Sequence, residues 1–202
     1  MIHRLAAMIL AGGKSRRFGD PKVLQFFRDQ PFLLRISDAL LATSLKKIYL
    51  VLGYKAKKFQ KHLPVVEPLE IVVNPEYEAG QFSSIQAGIR SVGRETPGVV
   101  SCLIDQPHLL PYTYRVVIMN ACSHPEKIII PTYHSRGGHP VYIPRALFPE
   151  IDAAPATASL RDIFDNRRDE ILRVEINDAG ILEDIDTKKD LHRLEKWYQQ
   201  RD

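Results

Sequence analysis

Short apolar runs alternate with longer amphipathic stretches along the whole chain. Leu5 to Leu10 is an unbroken apolar run stopped by two glycines, the pattern of a buried strand. Pro31 opens a helical pattern that puts Phe32, Ile36, Ala39 and Leu40 on one face. Ile48 to Leu52 is β-branched and apolar and is closed by Gly53, which predicts a second buried strand. Ala56, Phe59 and Leu63 then recur at helical spacing until Pro64. Ile71 to Val73 predicts a third strand, and Phe82, Ile85, Ile89 and Val92 line one face of the helix that follows. Val99 to Ile104 is a fourth apolar strand, and Tyr112 to Cys122 a helix. Strands are expected at Ile128 to Ile130, at Val141 to Ile143 as an antiparallel edge, and at Ile171 to Ile176. Val23 to Phe27 is expected to be a brief extended piece, Leu160 to Phe164 a short helix, and Thr187 to Gln200 the terminal helix.

Strands alternating with helices at this spacing predict an α/β fold: one domain over residues 1–202, with a mostly parallel sheet covered by helices on both faces. Ligands of such sheets sit beyond the carboxyl ends of the strands. Three polar segments directly follow predicted strands: the glycine loop from Gly12, the stretch from Asn74, and Asp105. The fold therefore gathers them at one rim.

Charge and composition narrow the chemistry. A net charge of +4 suits a small anionic ligand, but no basic run or tail points to nucleic acid. The densest cationic segment, Lys55 to Lys61, reads as a solvated helix face over Phe59. Cys102 and Cys122 form no CxxC pair, so neither a zinc site nor a disulfide framework is indicated. The first apolar run is too short for a signal peptide or a membrane span. A cytoplasmic protein with no membrane partner is expected.

Candidate chemistry concentrates between Leu10 and Lys22, which read LAGGKSRRFGDPK. Adjacent glycines let backbone N–H groups approach a ligand, and Lys14, Arg16, Arg17 and Lys22 suit a polyphosphate. Two familiar phosphate loops are excluded. A P-loop needs glycine where Met8 stands, and GxGxxG fails because Gly12 and Gly13 are adjacent and position 17 is arginine.

The longer pattern resembles the signature LAGGxSxRxGxxK of the MobA-like nucleotidyltransferases, matched here at Leu10, Ala11, Gly12, Gly13, Ser15, Arg17, Gly19 and Lys22. Asn74-Pro75 with Gly80 and Ser83-Ser84 resembles the second nucleotide-binding segment of that family, and Asp105-Gln106-Pro107 its acidic DxP step. Gly138-His139-Pro140-Val141 and Asp184-Ile185-Asp186-Thr187 are most similar to segments of the molybdenum cofactor cytidylyltransferase branch. The resemblance implies a Rossmann-like three-layer α/β/α sandwich of the nucleotide-diphospho-sugar transferase type. It implies CTP- or other NTP-dependent transfer of a nucleoside monophosphate, with CMP from CTP the first choice, onto a phosphorylated acceptor. Molybdopterin is the implied acceptor, and a molybdoenzyme would receive the product.

In-line attack on the α-phosphorus asks mainly for positioning and charge neutralisation. Arg17 and Lys22 are the expected leaving-group and α-phosphate cations, with Asp105 the third catalytic residue. The nucleotide contacts implied by the resemblance are Leu10, Ala11, Gly12, Gly13, Arg17, Lys22, Asn74, Gly80, Ser83 and Asp105; Asn74 before Pro75 is equally eligible as a turn residue and Ser83 as a helix-start hydroxyl. Mg²⁺, which takes hard oxygen ligands and keeps several waters, is expected on Asp105 and Asp186. Asp184 and Asp186 are expected on opposite faces of an extended segment, and Asp184, Asp186 and Asp190 are also eligible as caps of the last helix. Asp105 is likewise eligible as a turn or cap residue before Pro107. His139 and Pro140 are the implied acceptor contacts. His139 reads as a positioning residue, since an ionised phosphate nucleophile requires no base.

One region departs from the branch. Cytidylyltransferases of this type carry a GDxG element before the short helix, whereas this chain reads DAAPATASLRDIF and retains Arg161. That leaves the acceptor open. A guanylyltransferase, a sugar-1-phosphate nucleotidyltransferase and a non-catalytic cofactor-binding maturation protein are the alternative readings.

Overall fold

A computed structural model describes residues 4–45, 47–64 and 67–199. β1 (Ala6–Ala11) leads through the glycine loop to a small hairpin of β2 (Phe26–Phe27) and β3 (Gln30–Pro31). α1 (Phe32–Leu41), β4 (Ile48–Leu52), α2 (Ala56–Gln60), β5 (Leu69–Val73), α3 (Gln81–Ser91), β6 (Gly98–Leu103) and α4 (Pro111–Ser123) follow. The second half adds β7 (Ile128–Tyr133), β8 (Arg136–Gly137), β9 (Val141–Pro144), α5 (Phe148–Ala153), α6 (Leu160–Asp165), β10 (Ile171–Glu175) and α7 (Lys188–Gln199). No described helix is long and apolar enough to cross a membrane.

The other eight strands form one sheet in the order β10-β7-β9-β6-β1-β4-β5, with β8 paired to β7. β6, β1, β4 and β5 run parallel, and β10 is parallel to β7. β9 runs antiparallel between β6 and β7. The expected antiparallel direction of Val141 to Ile143 is therefore present, but the strand is interior rather than an edge. Its four residues are all buried, as a central position requires.

Alternation along each strand feeds two cores. Ala7 and Ile9, Ile48, Leu50 and Leu52, and Val100 and Cys102 point to one face, where Phe32, Ile36 and Leu40 of α1 and Val117 and Ala121 of α4 cover them. Ala6, Met8 and Leu10, Tyr49 and Val51, and Val99 and Leu103 point to the other, under Phe82, Ile85 and Ile89 of α3, with α5 and α6 beside them. This is the expected three-layer sandwich. α5 and the two-residue strands are too short to leave a period in the sequence. The expected helix end at Gln200 lies outside the described residues.

β1 is flanked by β6 on one side and β4 on the other, so successive connections leave it in opposite directions. The crevice beyond its carboxyl end is where such sheets bind ligands. The glycine loop opens there, and Asp105 follows β6 two residues past its end.

Candidate active site

A cavity of about 460 Å³ occupies this crevice, floored by Leu10, Ala11, Gly12 and Gly13. Arg17, Lys22, Asp105, Asp184 and Asp186 line one part of it, and Phe59, Tyr77, Gly80, Gln81 and Ser84 also contribute to its wall. The loop's positive-φ residues are Ser15 (φ 48°) and Gly19 (φ 90°), not Gly12 or Gly13. What Gly12 supplies is room: a Cβ there would lie 2.6 Å from Ser84 Oγ.

Lys22 is the centre of the charged part. Its Nζ lies 3.0 Å from Asp105 Oδ2 and 2.9 Å from Asp186 Oδ1, with the side chain only 10 % exposed. Arg17 holds the other oxygen of Asp186 at 2.9 Å from a largely solvent-exposed position. Residues 17, 22, 105 and 186 are thus one ion cluster, assembled from three distant pieces of chain. The other oxygen of Asp105, Oδ1, is buried without a hydrogen-bond partner among the described residues.

The segment from 178 to 186 is fastened to the loop after β6. The Ile185 amide donates to the Asp105 carbonyl at 2.9 Å. Gln106 Nε2 donates to Asp184 Oδ1 at 3.0 Å, and His108 Nε2 donates to the Gly180 carbonyl at 3.1 Å. Buried Asp178 accepts from Thr113 Oγ1 at 2.5 Å and from the Gly180 and Leu110 amides at 3.0 and 3.3 Å. Arg35 of α1 donates to the Pro107 carbonyl at 3.1 Å. These bonds fix Asp105 and Asp186 relative to each other.

Asp184 and Asp186 both line the cavity, which corrects the expectation that they face opposite ways. Positions two apart on extended backbone share a face. Partial burial, with the Asp105 charge behind it, holds the Asp184 carboxyl above its ordinary value although the residue lies at the open rim. Asp190 does cap α7, accepting from the Thr187 amide and hydroxyl at 2.8 and 2.7 Å.

Asn74 and Ser83 stand behind the wall. Buried Asn74 donates to Ser83 Oγ at 2.9 Å and Ser84 Oγ at 3.1 Å, and accepts from the Glu76 amide at 2.9 Å. Ser83 Oγ donates on to the Glu76 and Gly80 carbonyls at 2.9 and 2.8 Å. The pair shapes the turn into α3 and leaves Ser84 and Gly80 in the cavity wall. Lys14 is paired with Glu78, and its ammonium lies 5.6 Å from the Tyr77 ring centre.

A second cavity, of about 440 Å³, adjoins the first and shares Asp184 with it. His139, Gln106, Arg136 and Arg161 are among its lining residues, so two separate pieces of chain supply two cations and an imidazole. Pro140 is buried beside His139. Burial pushes the His139 imidazole down to about 4, against the opposing pull of Asp105, so the ring is neutral at pH 7.

Gln106, Ser84 and Asp184 stood inside motifs already noted, but nothing in their spacing marks them as lining residues. Tyr77, Phe59 and Arg136 carry no sequence signal for the site, because only the packing of α2 and of the turn before α3 brings the two rings to the glycine loop.

Known proteins share this arrangement of elements. Rv0371c from Mycobacterium tuberculosis H37Rv superposes with a TM-score of 0.80 over 97 % of this chain and 100 % of its own, at 24 % identity. Its structure in complex with manganese superposes at 0.73 over 96 % and 98 %. A nicotine blue oxidoreductase from Paenarthrobacter nicotinovorans is 26 % identical over 94 % of this chain and 96 % of its own. A molybdenum cofactor cytidylyltransferase from Escherichia coli K12 is 24 % identical over 95 % of each chain. Residues 7–171 match the profile of the MobA-like NTP transferase domain, and the chain belongs to that family.

Proposed function

We propose that the protein transfers CMP from CTP to a phosphorylated acceptor, molybdopterin or a close relative, with release of pyrophosphate. The observation that carries this reading is the convergence of Lys22, Arg17, Asp105 and Asp186 at the mouth of the glycine loop, in the strand-end crevice. Nucleotide binding alone does not call for two carboxylates and two cations at one point; neutralising charge on a reacting phosphorus and a departing pyrophosphate does.

The chain's own residues divide the work. Backbone amides of Gly12 and Gly13 face the β- and γ-phosphates, Arg17 grips leaving-group oxygens through its planar fork, and Lys22 serves the α-phosphate as a point charge. Asp105 and Asp186 fit a divalent cation. They offer hard oxygens, one of them the orphaned buried Oδ1 of Asp105, and two carboxylates suffice for Mg²⁺ bound chiefly through phosphates and water. When bound, it would polarise the phosphoryl oxygens and neutralise developing charge.

The second cavity is the natural acceptor site, because Asp184 lines both it and the first. Arg136 and Arg161 are suited to an acceptor phosphate, and neutral His139 orients the acceptor by hydrogen bonding.

The test is to follow pyrophosphate with Mg²⁺, each nucleoside triphosphate in turn, and molybdopterin. Acceptor-dependent release with CTP is expected. Binding of nucleotide without release from any triphosphate would overturn the transferase reading. A second reading, an oxidoreductase using the same crevice, is favoured by the similarity to nicotine blue oxidoreductase. Reduction of an added dye acceptor at the expense of a supplied reduced nicotinamide, which is oxidised in step, with no pyrophosphate release would select it.

A further inference from the structure

The acidic pair already has a cation on it. Lys22 Nζ is within hydrogen-bond distance of one oxygen from each carboxylate, Asp105 Oδ2 and Asp186 Oδ1, and its stem is nine-tenths buried. Arg17 takes the remaining oxygen of Asp186. Within the cluster two carboxylates face two cations, while Asp184 on the same cavity wall adds a third carboxylate that has no ion pair in the cluster. A divalent cation brought to Asp105 and Asp186 with Lys22 in place would meet an ammonium on the oxygens it needs. It would also be pressed against the Lys22 and Arg17 charges in a partly buried site, where screening is weak.

We infer that Lys22 holds the metal's place in the nucleotide-free protein and yields it only when a triphosphate arrives. This rests on the proposed nucleotide site and adds an order of events to it. The polyanionic triphosphate offers Lys22 and Arg17 new partners. As they turn onto phosphate oxygens, Asp105 and Asp186 are released to the metal, so neither cation and neither carboxylate of the cluster is left without a partner in the exchange. Metal and nucleotide therefore raise each other's affinity, and by linkage each does so by the same factor. A free divalent cation binds poorly, so it does not occupy the pair ahead of its nucleotide.

A lysine that merely fastens two loops predicts something different. Its removal would loosen the fold without opening a metal site. A plain net-charge effect predicts something different again, because removing Arg17 changes the charge as much as removing Lys22 does. The experiment is titration of the full chain with Mn²⁺ alone, without nucleotide, read from the electron paramagnetic resonance signal of free Mn²⁺. Wild type, Lys22→Ala, Lys22→Gln and Arg17→Ala are compared, with thermal melts to verify folding. Lys22→Ala and Lys22→Gln should tighten Mn²⁺ by about tenfold or more, within the usual span of coupling between two ligands, and Arg17→Ala by no more than about threefold. Adding CTP should tighten Mn²⁺ strongly in wild type and far less in the Lys22 variants.

Unchanged or weaker Mn²⁺ binding in folded Lys22 variants would overturn the inference, as would an Arg17→Ala effect equal to that of Lys22→Ala. The readout involves no turnover. The absence of pyrophosphate release would sink the transferase reading while leaving the Mn²⁺ titration to decide this one.

Discussion

Gly12 and Ser84 meet across the crevice so closely that a Cβ on the glycine would lie 2.6 Å from the serine oxygen. That oxygen is held by the Asn74 amide at 3.1 Å and so is not free to swing aside cheaply. Gly12→Ala should therefore push α3 away from the loop, costing about 1–3 kcal/mol as overpacking does. The first contact with the nucleotide should weaken with it. At Gly13 nothing stands within 4 Å of a built Cβ, so Gly13→Ala should leave the thermal midpoint close to wild type. Differential scanning fluorimetry of the two variants checks this. Equal losses would mean that the contact with Ser84 is not what selects glycine at position 12.

Asp178 lies far from the glycine loop in sequence and fixes the segment that carries Asp186. Its buried carboxylate takes three hydrogen bonds, from Thr113, Leu110 and Gly180, joining the start of α4 to the 178–186 segment. Asp178→Ala leaves buried donors unpaired and should cost about 3 kcal/mol or more. Asp178→Asn keeps the shape but offers only one acceptor oxygen, so an intermediate loss is expected. Urea unfolding measures both. A variant as stable as wild type would show that Asp178 does not brace the site.

The sheet was legible because its signal is local: Ile48 to Leu52 is apolar on both sides, as is Val99 to Leu103 apart from Ser101, and only a strand covered on two faces is built that way. The position of β9 was not legible, since an apolar run does not say which neighbours it pairs with. For the site, strand ends located the glycine loop and Asp105, but the ion cluster joins residues 83 and 164 positions apart. No periodicity encodes such a contact. Asn74 shows the same limit from the other side: its polarity marked the segment, while its partners Ser83, Ser84 and Glu76 show that it shapes the wall from behind.

Asp184 and Asp186 share a face but not their partners. Asp186 carries both cations of the cluster, whereas Asp184 accepts from the Gln106 amide at the boundary with the second cavity. Asp105→Asn and Asp186→Asn should each lower pyrophosphate release by about 100-fold or more, the effect of removing several kcal/mol of transition-state charge stabilisation. Asp184→Asn should act chiefly on the acceptor's KM. Steady-state kinetics at saturating CTP separates these outcomes. If Asp184→Asn matched Asp186→Asn in kcat, the second metal ligand would be reassigned to Asp184.

His139 gives the pH dependence a definite sign. Burial pushes its imidazole down to about 4 in the folded protein, while an unfolded chain protonates histidine near the ordinary value of about 6.5. Between those values the unfolded state binds a proton that the native state refuses, so stability falls as pH drops through this window and recovers as pH rises. Buried His108, depressed by burial as well, adds a loss of the same sign. His139→Gln should flatten the urea midpoint against pH between about 6.5 and 4. The gain at the acid end should be about 1–2 kcal/mol, less than a fully enclosed ring would give because this one is only half-buried. The variant should also leave any inflection of kcat near pH 6.5 where it was, since a ring already neutral there has no proton to lose. An unchanged slope of stability in His139→Gln, or a kcat inflection that vanishes with the imidazole, would show that His139 titrates in the ordinary range and enters the reaction as an acid or base.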